Sequence, residues 1–487
     1  MEKNGQLLNF VNGSWQKSGA GEHLDVLNPA TDRKLGVVPL SPGTEVGAAA
    51  RAACAALPDW QRTPVGERIQ HLFRLKSLLE DNIDRLAHAV TLDNGKTYGE
   101  SVGEIGRGIE NVEVACGAPS LMQGRNNEDI SRGVDEHLIR QPVGVVAAIT
   151  PFNFSVMIPL WFMPYAVATG NCFIHKPSEK VPMATQILFE LFEQAEFPAG
   201  VVQLVNGSAD TVNAILDHPT IRAISFVGSS AVAKLVYSRA TANGKRAQCQ
   251  GGAKNPIVIM PDADMESTVQ IMSDAAFGCA GQRCLSGPVA ITIGEAKTTF
   301  AEPMAAAAAA RTVGFGLDEG VQTGPVITAE SKARVEALVA QGMDEGATIL
   351  VDGRGHKVRG YEDGYFVAPT VLTDVPPNCD TAQIEFFGPV LSLTHASDAD
   401  EALRLVNDRG YGNGACIFTS DGATARRFRN EADAGNVGIN VAVPAPMAFF
   451  PFSDWNDSFF GDLHAQGVHA IEFFTQTKVV VERWPQA

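Results

Sequence analysis

Between Gln141 and Ala240, short apolar runs alternate with stretches of helical period. VGVVAAIT (143–150) is continuous and β-branched, as a strand buried on both faces should be. A helical stretch follows over about 155–168, then CFIHK (Cys172–Lys176) as a strand and a helix through ATQILFELFEQA. VVQLVNG (201–207) is the next strand, followed by a short helix near 211–216, the strand AISFV and the helix AVAKLVYSRA. Strands and helices at this pitch predict βαβ crossovers and a parallel sheet covered on both faces. Ligands of such sheets sit at the carboxyl ends of the strands. Those ends carry Asn153, residues 176–179, Asn206 with Gly207, and residues 228–230.

A second α/β pattern starts at Asn255, with NPIVIM and PVAITI as strands. It continues with a helix through the alanine run 304–311, another over 331–341, and TILVDG. Upstream, 67–89 reads as one amphipathic helix and Tyr98–Cys116 as another. DEHLIRQP (135–142) and the C-terminal KVVVERW are strand candidates outside both series, suited to pairing with another subunit by edge addition.

Composition narrows the function classes. A chain of 487 residues exceeds one hydrophobic core, so two or three domains are expected. A net charge of -17 without a Lys/Arg run speaks against nucleic acid. The longest apolar stretch, 156–168, is broken by Pro159 and Pro164, which speaks against a membrane span. The eight cysteines show no C-x-x-C and no zinc-like spacing with histidine, so no metal site is expected and the thiols read as reduced. The start, MEKNGQLLNFVNGSW, has neither the apolar run of a signal peptide nor transit-peptide character. A cytoplasmic protein is expected. G-x-G-x-x-G is absent, so a dinucleotide would be held through a single helix start such as GSSAV.

The stretch 275-AAFGCAGQRCLSGP-288 holds two cysteines. Cys284 follows a small-residue turn and a cation, Arg283, the surroundings that depress a thiol pKa. Cys279 lies among small apolar residues, where burial raises it. Local chemistry therefore favours Cys284 as a nucleophile. No G-x-S-x-G occurs and the ten histidines do not cluster, so no serine triad competes.

GQRC, EFFGPV (385–390), ITPFN ending at Asn153, KPSE (176–179), FVGS (226–229) and GGAKNP (251–256) occur in order along the chain. Together they resemble the motif series of the NAD(P)-dependent aldehyde dehydrogenase superfamily. The resemblance implies an α/β fold of two parallel-sheet domains, a Rossmann-like cofactor domain without the usual fingerprint and a catalytic domain, with a small β oligomerisation element. It implies NAD binding by residues 1–122 and 141–250, catalysis by 251–437, oligomerisation strands at 123–140 and 468–487, and a return segment, 438–467, lining the active site. Cys284 would add to the aldehyde carbonyl, with Asn153 and the Cys284 N–H as oxyanion hole; an amide donor suits developing negative charge. Lys176 and Glu179, which alone read as a solvated pair after a strand, would hold the adenine ribose. Ser229 would contact the pyrophosphate, and Glu385 the nicotinamide ribose with Phe387 beside the ring. Thr150, Phe152, Ser178 and Gly228 lie in the same motifs and are expected to line the cofactor site. A glutamate at the ribose favours NAD over NADP.

Where most of the superfamily has the glutamate of E-L-G-G-K, this chain has Gln250. An amide cannot take a proton from water, so the thioacyl enzyme is left for a thiol such as coenzyme A. The stretch 438–467 is similar to that of the CoA-acylating (methyl)malonate-semialdehyde dehydrogenases, as are PFNFSVMIPLWFMP and GNCFIHKPSEKVP. That subfamily also carries an amide for the glutamate. It has arginines matching Arg107 and Arg283, a fitting clamp for a carboxylated aldehyde, and Phe154 and Phe450 would flank the substrate. A homotetramer, a dimer of dimers, is implied. Ser155, Gln250, Pro256 and the LSG after GQRC depart from the subfamily's usual wording. Another anionic aldehyde, such as a sulfonated one, and hydrolysis to the free acid therefore stay open, as does a catalytically silent relative.

Overall fold

The computed structural model describes residues 5–484, so residues 1–4 and 485–487 of the expected first and last segments lie outside it. The predicted βαβ series folds into an eight-stranded sheet. Its parallel centre runs Val202–Leu204, Cys172–Lys176, Val145–Ile149, Ile221–Val227 and Arg246–Gln250. Val145–Ile149 and Cys172–Lys176 are buried throughout, which is why their sequences are continuous apolar runs rather than alternating ones. One edge is closed antiparallel by Asn9–Val11 and Ser14–Gln16, the other by Phe459–Phe460.

Helix Met157–Ala168 packs against this sheet and is buried on every side. Its lack of a polar face follows, and Phe162 and Tyr165 each contribute about 1.5–3 kcal/mol of burial. Helix Tyr98–Cys116 crosses it closely: a Cβ on Gly108 would stand 2.8 Å from Leu160 Cδ1. No helix of the described residues is long and apolar enough to cross a membrane.

The second series forms a seven-stranded sheet in the order Thr348–Val351, Thr370–Thr373, Val390–Ala396, Val289–Ile293, Pro256–Ile259, Gly414–Phe418 and Asn436–Ile439. All its pairings are parallel except the first. The strand candidate 135–142 extends to Val134–Pro142 and pairs with both Thr475–Glu482 and Arg125–Ser131. Val479 and Val481 stand exposed on that small sheet.

Two expectations are corrected. The single helix read over 67–89 is two, Val65–Asp81 and Ile83–Asn94. Between them Asn82 leaves helical geometry at φ -115, ψ 18, and its side-chain amide donates to Leu78 O, competing with the backbone ladder. The strand read over 201–207 is only Val202–Leu204, because the Asn206 side chain turns aside to Leu8 O and Asn9. A 20-residue helix, Gly43–Arg62, has no counterpart in the sequence reading.

Candidate active site

Helix Met265–Phe277 ends in a turn in which Cys279, Ala280 and Gly281 all take left-handed φ, 52°, 51° and 69°. Two non-glycine residues there are strained, and such turns persist only where their surroundings hold them. Glu100 holds this one by accepting the Cys279 N–H at 2.5 Å. Gly281 admits no side chain, since a Cβ would fall 2.0 Å from Gly388 O. Downstream, Asn255 pins the loop: its amide donates to Cys284 O at 2.7 Å and Ser286 O at 2.8 Å, and its oxygen accepts from Gly414 N at 3.0 Å.

Cys284 thereby faces a cavity, while Cys279 is buried beneath it. The expectation that Arg283 depresses the Cys284 thiol is not met. Burial first, and then the nearby Asp454 and Glu385, push that thiol up to about 12. Burial pushes Cys279 to about 12 as well. What separates the two is access to the cavity. The Arg283 guanidinium turns from Cys284 to the end of helix Met265–Phe277, where Nη2 donates to Asp274 O and Ala275 O. Its buried Nε has no partner among the described residues.

Asn153 sits in the turn between Val145–Ile149 and helix Met157–Ala168, and its amide donates to Gln282 O at 3.1 Å. This turn is braced from behind. Asn94 donates to Phe152 O, and Glu104 accepts from the N–H groups of Val156 and Met157, the free donors at the helix start. Glu104 is itself paired with Lys96 at 2.5 Å, fully out of solvent, and the Lys96 ammonium lies 3.7 Å over the Phe154 ring.

From Cys284 the cavity, about 580 Å³, extends along the carboxyl ends of the first sheet's strands. Thr150, Phe152, Asn153, Lys176, Ser178, Glu179, Gly228, Ser229, Glu385 and Phe387 all line it, so the cofactor residues expected from sequence are brought together. At its far end Lys176 pairs with Glu179 at 3.0 Å. Burial lowers the Lys176 ammonium's pKa; burial also opposes the Glu179 carboxylate, but Lys176 and a backbone N–H bring Glu179 below its usual range. Helix Ser230–Ala242 opens on this cavity with Ser229 as a cap whose hydroxyl makes no capping bond. Its first N–H groups are therefore available to an anion.

Near Cys284, Glu385 accepts from Ala253 N at 3.0 Å and is held above its usual range by burial. A Cβ on Gly252 would stand 2.8 Å from its carboxylate. Arg334 fixes the backbone here by donating to Glu385 O and Phe386 O, both at 2.7 Å, and Phe387, at φ 53°, meets Phe152 edge to face at 5.7 Å.

Gln250 does not line this cavity. It ends its strand with its side chain 2% exposed and neither amide atom partnered among the described residues. Arg107, Phe154, Arg283 and Phe450 are likewise outside the cavity wall. Arg107 pairs with Glu110 on its own helix at 2.7 Å and joins that helix to the return segment by donating to Pro446 O, and Phe450 is 66% exposed. The return segment ties the two large sheets: Phe459–Phe460 edges the first, and Ser458 bonds Gly251 N, Gly252 O and Gly412 N.

Sequence reasoning missed Asn255, Arg334, Glu104, Lys96 and Asp454. Asn255 lies within the GGAKNP motif, and Arg334 meets the EFFGPV motif only in space. Lys96, Glu104 and Asp454 carry no local signal, because their partners lie far along the chain.

Comparison with known proteins completes this picture. The model described as "Aldehyde dehydrogenase family" matches residues 15–480. Malonate-semialdehyde dehydrogenase 2 of Geobacillus kaustophilus is 46% identical over 478 residues, which cover 98% of this chain and 99% of that one. The malonate-semialdehyde dehydrogenase of Halalkalibacterium halodurans is 45% identical, with 98% of each chain covered. Among solved structures, the methylmalonate-semialdehyde dehydrogenase of Oceanimonas doudoroffii superposes with a TM-score of 0.98 at 42% identity over 99% of both chains. A Sinorhizobium meliloti protein, provisionally named methylmalonate-semialdehyde dehydrogenase and complexed with NAD, superposes at 0.98 with 40% identity, covering 100% of this chain and 99% of that one.

Proposed function

The chain belongs to the aldehyde dehydrogenase family. On that premise we propose that it oxidises malonate or methylmalonate semialdehyde with NAD and transfers the decarboxylated acyl group to coenzyme A. The observation that carries this reading is the join of Cys284 to a cofactor-sized cavity together with a buried amide, Gln250, where a water-activating carboxylate would be needed.

The residues present fit a dinucleotide. The uncapped start of helix Ser230–Ala242 suits the pyrophosphate, the Lys176–Glu179 pair the adenine ribose, and the buried, under-satisfied Glu385 carboxylate the second ribose. Thr150, Phe152, Ser178, Gly228 and Phe387 complete the wall. When bound, NAD takes the hydride that leaves the substrate carbon. Cys284 forms the C–S bond to the aldehyde carbon, and Asn153, redirected from Gln282 O, shares the resulting oxyanion with the Cys284 N–H. Loss of hydride leaves a thioester on Cys284; its β-carboxylate departs as carbon dioxide, and the electron pair left on the α-carbon takes up a proton to give the acetyl or propionyl thioester. Gln250 can donate and accept hydrogen bonds but cannot deprotonate water, so the thioester persists until a thiol displaces it. Arg107 and Arg283 are the cations assigned to the substrate's carboxylate, with Phe154 and Phe450 flanking it; to reach it, Arg107 must leave Pro446 O and Arg283 the carbonyls of Asp274 and Ala275.

Residues 1–122 and 141–250 act as the cofactor domain, 251–437 as the catalytic domain, and 438–467 as the segment closing the site. Segments 123–140 and 468–487 assemble a homotetramer, supported by the exposed valines of Thr475–Glu482. A cytoplasmic setting accords with eight free cysteines. Alanine at Cys284 tests the reading: turnover should vanish while NAD binding stays, and activity carried by Cys279 would refute it.

A further inference from the structure

Helix Tyr98–Cys116 carries Glu100, Glu104, Arg107 and Asn111 at the intervals that put side chains on one helical face. Each holds a different piece of chain around Cys284. Glu100 accepts the Cys279 N–H at 2.5 Å, in the strained turn before the nucleophile. Glu104 accepts from Val156 N at 2.8 Å and Met157 N at 3.2 Å, just past Asn153. Arg107 donates to Pro446 O in the return segment. Asn111 Oδ1 lies 3.1 Å from the Tyr165 hydroxyl, which is also 3.3 Å from Ala448 O.

The first two ties close a ring. Cys279 O accepts from Gln282 N at 3.0 Å, and Gln282 O accepts from the Asn153 amide at 3.1 Å. Just beyond Asn153 the Val156 N–H returns to Glu104, one helical turn from Glu100. Gln282 is also held from outside, its Oε1 accepting from Ile327 N at 3.1 Å. The ring therefore contains both the oxyanion amide and the backbone just before Cys284, with Glu100 on the nucleophile side. The helix behind it sits tightly, since a Cβ on Gly108 would stand 3.4 Å from Met157 Cα. Left-handed Cys279 and Ala280 are costly on their own, so the turn relaxes unless the Cys279 N–H is fixed. A carboxylate is the stronger acceptor for that N–H.

We propose that this face of helix Tyr98–Cys116 sets the mutual placement of nucleophile and oxyanion amide, and that Glu100 is the positioning residue for Cys284. Glu100 lies outside the cavity wall and acts through Cys279 and Gln282. Glu104 plays the same part for Asn153. Arg107 is the exchangeable member of the row, because its bond to Pro446 O must open before it takes the substrate's carboxylate. Without Glu100 the turn falls back toward ordinary backbone angles, and Gln282 O loses its place against the Asn153 amide. Sulfur and amide then no longer converge on one carbonyl. A misplacement of about 1 Å between reacting groups costs on the order of a hundredfold in rate.

This rests on Cys284 being the nucleophile and Asn153 the oxyanion donor. The test is the single-turnover burst of reduced cofactor without coenzyme A, measured per folded protomer. Glu100→Ala should slow the burst by about a hundredfold with NAD binding unchanged. Glu100→Gln, which keeps an acceptor for one N–H, should slow it by only about three- to tenfold. Thr97→Ala removes the other half of the same capping box, where Thr97 Oγ1 accepts from Glu100 N. It should lower the denaturation midpoint and leave the burst at the wild-type rate. A wild-type burst in Glu100→Ala would overturn the assignment. So would an equal slowing in Thr97→Ala, the result expected if Glu100 only starts its helix. Glu100→Gln as slow as Glu100→Ala would place the effect on charge rather than on the bond, and would overturn it too. If Glu100→Ala does not fold, Glu100→Gln decides: a slowing of about threefold or more supports the assignment and a wild-type burst contradicts it. A burst that survives in Cys284→Ala would instead overturn the underlying reading of the site.

Discussion

The two sides of the cleft differ in how their polar groups are satisfied. Toward the cofactor, Lys176 pairs with Glu179, Asn153 with Gln282, and Glu385 with Ala253 under the Arg334 clamp. Behind the cavity wall, Gln250, Asp454 and the Arg283 Nε are buried with no hydrogen-bond partner among the described residues. The satisfied side reads as a mould that positions ligands before they arrive. The orphaned side stores unmet hydrogen-bonding capacity that is met only when substrate, water or thiol enters, which is where differential binding of the transition state is made. The contrast predicts that the satisfied side is costly to disturb structurally, while the orphaned side is costly only to the reaction.

The largest effect belongs where the two sides meet: Cys284→Ala should lower steady-state turnover by about 10⁴-fold or more while NAD still binds in a fluorescence titration. Next, Glu104→Gln removes one partner of a buried ion pair that also holds the start of helix Met157–Ala168. It should cost about 3–5 kcal/mol in chemical denaturation, and a cost near zero would mean the pair does not brace the Asn153 turn. Asn153→Ala should lower kcat by about 10²–10³-fold with little change in NAD affinity. Lys176→Met should weaken NAD by about ten- to a hundredfold, the value of a charged hydrogen bond, and leave kcat at saturating NAD nearly unchanged. The smallest expected change is the sharpest for the comparison. Gln250→Leu replaces a buried group that has no partner among the described residues, so stability should shift by less than about 1 kcal/mol in either direction, while CoA-dependent turnover falls. A large loss of stability there would show the amide to be structurally bonded and would erase the distinction between the two sides.

How much of this was legible in the sequence depended on how far apart the partners lie. The strands Val145–Ile149 and Cys172–Lys176 announce themselves because burial on both faces forces unbroken apolar runs. Thr150, Phe152, Lys176, Ser178 and Glu179 sit at the ends of those strands, but their roles came from the ordered motif series, as did those of Glu385 and Phe387, which precede Val390–Ala396. The break at Asn82 was hidden, because a helical period continues through it and only a side-chain bond to Leu78 O ends the first helix. Phe459–Phe460 joining Arg246–Gln250 was invisible, since it pairs residues some two hundred positions apart with no local pattern. The Cys284 thiol was misjudged for the same reason. Its neighbour in sequence, Arg283, bonds a helix end, and its neighbours in space are the carboxyl groups of Asp454 and Glu385.

The central claim, that the missing carboxylate at Gln250 hands the acyl group to a thiol, is tested most directly by one measurement. Reduced-cofactor formation from malonate semialdehyde is followed with and without coenzyme A. Without coenzyme A, one equivalent per Cys284 should form and the reaction should then stall; with it, turnover should continue and yield acetyl-CoA. Full steady-state turnover to the free acid in the absence of coenzyme A would contradict the account.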